Sequence, residues 1–221
     1  MTTLKIAILG GTGNEGFGLG YRWAAAGHEI IIGSRQREKG AGAAADMRER
    51  LPEGAISGTD NLSAAQQAEL VVLSVPYWAQ AGTLDSVKEA LTDKLLITVV
   101  APSGEKKSRV HTLPSGLSAA EEAQRQLEGV TRVVAAFQNI GAHHLLDLAH
   151  QLDCDVLVCG DKKADKEIVL QLCADAGLRG VNAGALQNAR AVEGMTAVLI
   201  AINIIHKVKS AGIRVTGIGD Q

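Results

Sequence analysis

Short apolar runs alternate along this chain with longer stretches whose apolar positions recur at helical spacing. Residues 4–9 make the first run, and a glycine-rich turn leads from it into a helix predicted over 16–26. Gly27 closes that helix, as glycine does where the chain turns left-handed. Runs at 29–32, 55–58, 70–75, 95–100 and 133–137 are predicted as strands two to six, with a charged, alanine-rich helix over 37–51. Strands so short and so uniformly apolar are covered on both faces, and their alternation with helices is the signature of βαβ units. The pattern therefore predicts an α/β fold over residues 1–142, a Rossmann-type doubly wound parallel sheet. A smaller C-terminal α/β portion over 143–221 is predicted from a run at 154–159, a helix over 163–176 and a run at 180–183. It ends in a long helix over 187–210 that is apolar almost all round, and so is buried or pressed on a partner. Its longest apolar stretch, 196–205, is short for a bilayer and contains Asn203. Residues 105–109 read as a charged surface loop.

The turn after the first run reads Gly11-Thr12-Gly13-Asn14-Glu15-Gly16, with Gly10 before it. A G-x-G-x-x-G that follows a strand and opens a helix is the context in which the pattern binds a dinucleotide. Its glycines allow a tight turn, a close approach of backbone to pyrophosphate, and helix–strand packing. The N–H groups of the helix start then face the anion. At the end of the second run an NAD-binding chain carries an acid for the ribose 2′-hydroxyl. Here stand Ser34 and Arg35, with Arg37 and Lys39 close behind and Glu38 inside the next helix. A hydroxyl with cationic neighbours suits a 2′-phosphate, so NADP is the expected cofactor.

Composition narrows the partners. With 22 basic against 24 acidic residues the net charge is −2, without the basic excess of a nucleic-acid or anionic-membrane binder. Aromatic residues make up 3%, which leaves few rings for stacking strings of bases. Cys154, Cys159 and Cys173 form neither a disulfide framework nor a zinc knuckle, which fits a reducing, cytoplasmic setting. No basic segment followed by an apolar one opens the chain, so no signal peptide is expected. His143 and His144 are neighbours, which on a helix face apart, and no metal site is expected. Trp23 and Trp78 are expected in the core or beneath the cofactor loop, and Cys159 as a small buried hydrophobe. Arg190 and Glu193 have the spacing of an i,i+3 surface pair.

Gly10-Gly11-Thr12-Gly13-Asn14 with Gly33-Ser34-Arg35 and Lys39 resembles the NADPH-dependent reductases of coenzyme F420, the F420H2:NADP oxidoreductases. The resemblance continues through Ser74-Val75-Pro76, Val158-Cys159-Gly160-Asp161, Asn188-Ala189-Arg190, Glu193 and Thr196, nearly the whole chain in order. It implies hydride transfer between NADP(H) and coenzyme F420, a deazaflavin, in a cytoplasmic homodimer joined by its C-terminal helices. It assigns Gly11, Thr12, Gly13, Asn14 and Glu15 to the pyrophosphate loop, and Ser34, Arg35 and Lys39 to the 2′-phosphate. Val75, Ala101 and Ala142 fall on the nicotinamide side, while Gln138, Ile140, Arg190 and Thr196 fall toward the deazaflavin. Where the family carries a His-Thr-Ile-Pro-type stretch this chain has Gln138-Asn139-Ile140-Gly141, and Gly194 replaces a serine. Gln138 can hydrogen-bond a cofactor edge but takes up no proton. No catalytic acid or nucleophile is implied, because the two cofactors carry the chemistry. The alternatives are an NADPH-dependent reductase of a flavin, imine or ferric complex, and a non-catalytic NADP-binding sensor.

Overall fold

The computed structural model describes residues 3–104 and 106–219; Glu105, at the head of the predicted charged loop, and the two chain ends lie outside the described residues. The elements in order are β1 (Lys5–Leu9), α1 (Asn14–Ala25), β2 (Glu29–Ser34), α2 (Arg37–Arg50), β3 (Ile56–Asp60), α3 (Asn61–Gln67), β4 (Leu70–Leu73), α4 (Tyr77–Val87) and β5 (Leu95–Thr98). There follow α5 (Ala119–Gln126), β6 (Arg132–Ala135), β7 (Asp155–Gly160), α6 (Lys163–Asp175), β8 (Arg179–Asn182) and α7 (Ala189–His206). The strands lie in the order β3-β2-β1-β4-β5-β6-β7-β8, and β1 to β6 are parallel. The α/β doubly wound architecture predicted from the pattern is thus present.

Two-residue alternation splits each strand between two cores. Ile6, Ile8, Ile30, Ile32, Val72, Ile97 and Val134 face one layer, in which Leu19 and Trp23 of α1 and Met47 of α2 are fully buried. Ala7, Leu9, Ile31, Val71, Leu73, Leu96 and Val133 face the other, with Ala64, Leu84 and Ala120 of α3, α4 and α5. A fully buried Ile or Leu contributes roughly 1.5–3 kcal/mol, so these rows fix the register of every strand.

β7 reverses direction. It meets β6 antiparallel through Val134↔Gly160 and Ala135↔Cys159, then pairs in parallel with β8. Asn139 bridges the splay: its Nδ2 donates to the Asp155 carbonyl at 2.6 Å and its Oδ1 accepts from Leu157 N at 3.2 Å. The last helix is shorter than predicted, because Lys207 ends it in the left-handed region at φ 54°. With the short turn before it, the helical run Leu186–His206 spans 21 residues and is apolar and long enough to cross a bilayer by length and composition, more than its ten-residue apolar stretch suggests. It packs along α5 nonetheless, while Val198, Ile202, Ile204 and Ile205 remain exposed.

Candidate active site

Register places the site. Gly33, Leu9, Leu73, Thr98 and Ala135 form one row across β2, β1, β4, β5 and β6. Five chain segments therefore leave the sheet from the same carboxyl edge: Ser34–Lys39, Gly10–Gly16, Ser74–Pro76, Val99–Ala101 and Ala136–Ala142. An open parallel sheet binds ligands in the crevice outside this edge, where strand order reverses, here between β1 and β4.

The phosphate turn is built on close approach. Gly10 sits at φ 72°, and a Cβ there would lie 2.6 Å from the Ser74 carbonyl. A Cβ on Gly16 would meet Ser74 Oγ at 2.8 Å, so α1 can start against β4 only because that atom is missing. Gly13 differs: its nearest neighbour to an added Cβ is 3.7 Å away, and its φ of −79° suits any residue. The fold does not need glycine at 13, whereas a ligand in the cleft would. Gly13 also caps α1 without a side chain, which leaves the leading N–H groups to an outside acceptor. Asn61 steadies the turn, its Oδ1 accepting from Gly10 N at 3.3 Å.

At the end of β2 the cations divide. Arg37 is taken up by Asp60, its guanidinium 2.9 Å from Oδ2, and by Ser63 at 3.2 Å. Arg35 and Lys39 make no ion pair among the described residues and stand exposed around the buried Ser34, whose Oγ accepts only a long 3.5 Å contact from Gln36 N. Two cations outside any ion pair among the described residues and a hydroxyl without a close partner are a set suited to an anion. They line a cleft of about 560 Å³ together with Gly10, Thr12, Gly13, Asn61, Val75 and Trp78. Trp78 overturns its expected place. Trp23 is fully buried, but Trp78 is 74% exposed on the rim, with the Arg35 guanidinium 5.8 Å from its ring centroid.

Among the described residues, Ala101, Gln138, Ile140, Ala142, Arg190 and Thr196 do not line that cleft. Ala101, Gln138, Ile140 and Ala142 lie in the segments that follow β5 and β6, whereas Arg190 and Thr196 belong to α7. β6 stops two residues earlier than its apolar run suggests because Phe137 adopts φ 74°. A bulky residue in the left-handed region costs about 1–2 kcal/mol. Its fully buried ring, edge-on to Trp23 at 5.6 Å, holds the turn in place. That turn points Gln138 inward. Its Nε2 donates to the Thr98 carbonyl at 2.8 Å, Thr196 Oγ1 donates to its carbonyl at 2.7 Å, and its buried Oε1 accepts nothing among the described residues. A buried acceptor without a donor is costly unless a ligand supplies one. Glu15 Oε1 is likewise enclosed and without a partner among the described residues, and burial pushes that carboxyl up to about 8. Ala101 and Ala142 are small and half-buried, and Ile140 is buried.

Arg190 and Glu193 do not pair with each other. Arg190 forms a two-pronged contact with Glu121, both distances 2.7 Å. Glu193 is buried and accepts from Ala119 N at 2.7 Å and Ala120 N at 3.0 Å, capping α5; burial pushes its carboxyl up to about 7. The histidines also depart from helical spacing. Residues 142–144 form a tight turn, the His144 and His150 rings stack at 4.1 Å, and His143 lies edge-on to His144 at 4.9 Å. Arg22 of α1 pins this segment, donating to the carbonyls of His144, Leu145, Asp147 and His150 at 2.7–3.2 Å. Among the described residues no group of three or more His, Cys, Asp or Glu could hold a metal.

Sequence reasoning gave no role to Asn61, Thr83 or Phe137, named Ser74 only within the run Ser74-Val75-Pro76, and placed Trp78 in the core or beneath the cofactor loop. The signal for Asn61 is its place directly after Asp60, the residue that ends β3 and caps α3.

Residues 5–102 match the family described as NADP oxidoreductase coenzyme F420-dependent. The chain is 43% identical to the F420-dependent NADP reductase of Methanothermobacter marburgensis over 97% of its length and 99% of that relative's. It is 40% identical to the protein of the same name from Methanocaldococcus jannaschii, over 97% and 99% of the two lengths. A solved structure of a candidate F420-dependent NADP reductase from Arthrobacter sp. FB24 superposes with a TM-score of 0.79 at 24% identity, covering 97% of this chain and all of that one. Pyrroline carboxylate reductase of Plasmodium falciparum, solved with NADP bound, superposes at 0.59 with 14% identity over 93% of this chain and 68% of that one; at such identity the likeness concerns the fold. With near-complete coverage at 40–43% identity, this chain belongs to the F420-dependent NADP reductases.

Proposed function

We infer that this chain is an NADP-dependent oxidoreductase that transfers a hydride between NADP(H) and coenzyme F420. The geometric observation that carries the reading is the anion site at the end of β2, where Arg35 and Lys39 stand beside Ser34 outside any ion pair among the described residues while Arg37 is neutralised by Asp60. The dinucleotide, when bound, supplies or takes the hydride, and the net reaction is NADPH, F420 and a proton giving NADP+ and F420H2.

The chain's own residues bind and orient. Gly11, Thr12, Gly13 and Asn14, with the uncapped start of α1, hold the pyrophosphate, and the neutral carboxyl of Glu15 avoids repelling it at pH 7. Ser34, Arg35 and Lys39 hold the 2′-phosphate. Val75, Ala101 and Ala142 leave room on the nicotinamide side, where two rings must approach within about 3–3.5 Å. Gln138 offers its empty Oε1 to a ring N–H, positioned by Thr98 and Thr196. Ile140 excludes water, and Arg190, held by Glu121, stands at the outer end of the deazaflavin pocket. No side chain acts as a catalytic acid or nucleophile. On this reading residues 1–142 hold NADP and residues 143–221 complete the second pocket. The exposed apolar face of α7 meets a second copy of the chain rather than a membrane, and the free thiols of Cys154, Cys159 and Cys173 suit the cytoplasm.

The test is turnover: purified protein should oxidise NADPH with F420 as acceptor, followed at the deazaflavin absorbance band. Turnover with FMN or FAD and none with F420 would refute the reading.

A further inference from the structure

The cleft does not end at the anion site. Beyond Ser34 and Arg35 it opens into a second hollow of about 480 Å³, bounded by Asp60, Leu62, Trp78, Gly82 and Ser86. Trp78 stands on the boundary between the two spaces and is 74% exposed. Among the described residues its indole makes no hydrogen bond, and its ring contact is with the Arg35 guanidinium. An exposed Trp in a concave wall, with one cation over its face, is a stacking plate whose natural occupant is a flat π-system.

We propose that the adenine of NADP(H) inserts between the Trp78 indole and the Arg35 guanidinium, making Trp78 a positioning residue for the adenosine half of the cofactor. This rests on the NADP reading above. Three stacked planes need about 7–8 Å from first to last at contact separations of about 3.5–4 Å, whereas the Arg35–Trp78 distance is 5.8 Å. The pair must therefore open by one or two ångströms. Both side chains are exposed and free of ion pairs among the described residues, so rotamer changes suffice. Insertion exchanges one cation–π contact for two contacts with the base. It also brings Arg35 to the 2′-phosphate and the adenine by one movement, which couples phosphate recognition to base stacking.

The experiment titrates the whole protein with adenosine 2′,5′-bisphosphate, with nicotinamide mononucleotide and with NADPH, following tryptophan emission. Trp23 is buried in the core, so a change on binding reports Trp78. The bisphosphate should quench the emission and the mononucleotide should not, and Trp78→Phe should abolish the quench while binding persists by calorimetry. Trp78→Ala should weaken bisphosphate binding about tenfold, as expected for losing one base–aromatic stack, and Trp78→Phe should restore most of it. Unchanged bisphosphate affinity in Trp78→Ala would overturn the proposal and leave the NADP reading intact. Failure of the unsubstituted protein to bind either the bisphosphate or NADPH would overturn both.

Discussion

Single residues separate what the fold needs from what the cofactor needs. Gly10 and Gly13 both belong to the phosphate turn, but only Gly10 is demanded by the protein itself, through its φ of 72° and the Ser74 carbonyl 2.6 Å from an added Cβ. Gly13→Ala should therefore keep its melting temperature within about 2 °C and weaken NADPH binding about tenfold or more, by calorimetry, while Gly10→Ala should lower the melting temperature first. Arg35→Asp should weaken NADPH at least about tenfold and leave NADH within threefold, since it removes a charged hydrogen bond to a phosphate only NADPH carries. Equal loss for both would place the clamp elsewhere. These residues were legible in the sequence because glycine spacing and a missing acid are one-dimensional signals. Trp78 and Phe137 were not: one is exposed by the path of α4, the other strained by a turn that only its contact with Trp23 holds.

Elements carry the coupling between the two halves of the edge. α1 is anchored at its far end by Arg22, whose guanidinium satisfies four carbonyls of the segment after β6 and that of Ala176 besides. Arg22→Ala leaves those acceptors short of a donor and should cost about 3 kcal/mol or more in urea unfolding, with loss of F420 affinity before NADPH affinity. α5 is held twice, by its own Ser118–Glu121 box and by Glu193 from α7. Glu193 and Glu15 both have carboxyls raised by burial, to about 7 and about 8. Folding therefore favours their protonated forms, so their contribution is full below about pH 4.3 and is lost as pH rises through 7 and 8. Urea midpoints should fall between pH 6 and 9, and Glu15→Gln should flatten the upper part of that slope. An unchanged slope would mean that Glu15 ionises freely. The strands and α1, α2, α6 and α7 were readable from apolar periodicity. α3, α4 and α5 were not singled out, because the buried faces of α3 and α5 are largely alanine and that of α4 mixes Gln80 and Thr83 with Leu84 and Val87, so none shows a clear apolar stripe.

The whole molecule is one sheet whose carboxyl edge gathers the NADP cleft and the Gln138 turn, with α7 lying alongside. The antiparallel entry of β7 could not be read from apolar runs, since a strand has the same pattern in either direction. α7 leaves Ile204 and Ile205 64% and 71% exposed, so Ile204→Asp with Ile205→Asp should turn a dimer into a monomer by light scattering without unfolding it. A monomeric unsubstituted protein would contradict that use of the helix. The central claim, direct hydride passage between two cofactors held side by side, is tested by isotope. NADPH deuterated at the transferring position of its nicotinamide is mixed with F420 and the enzyme in ordinary water, and the reduced deazaflavin is analysed by mass spectrometry. The account predicts that the deuterium is found in F420H2. Reduced F420 carrying only solvent hydrogen, or no reduction at all, would contradict it.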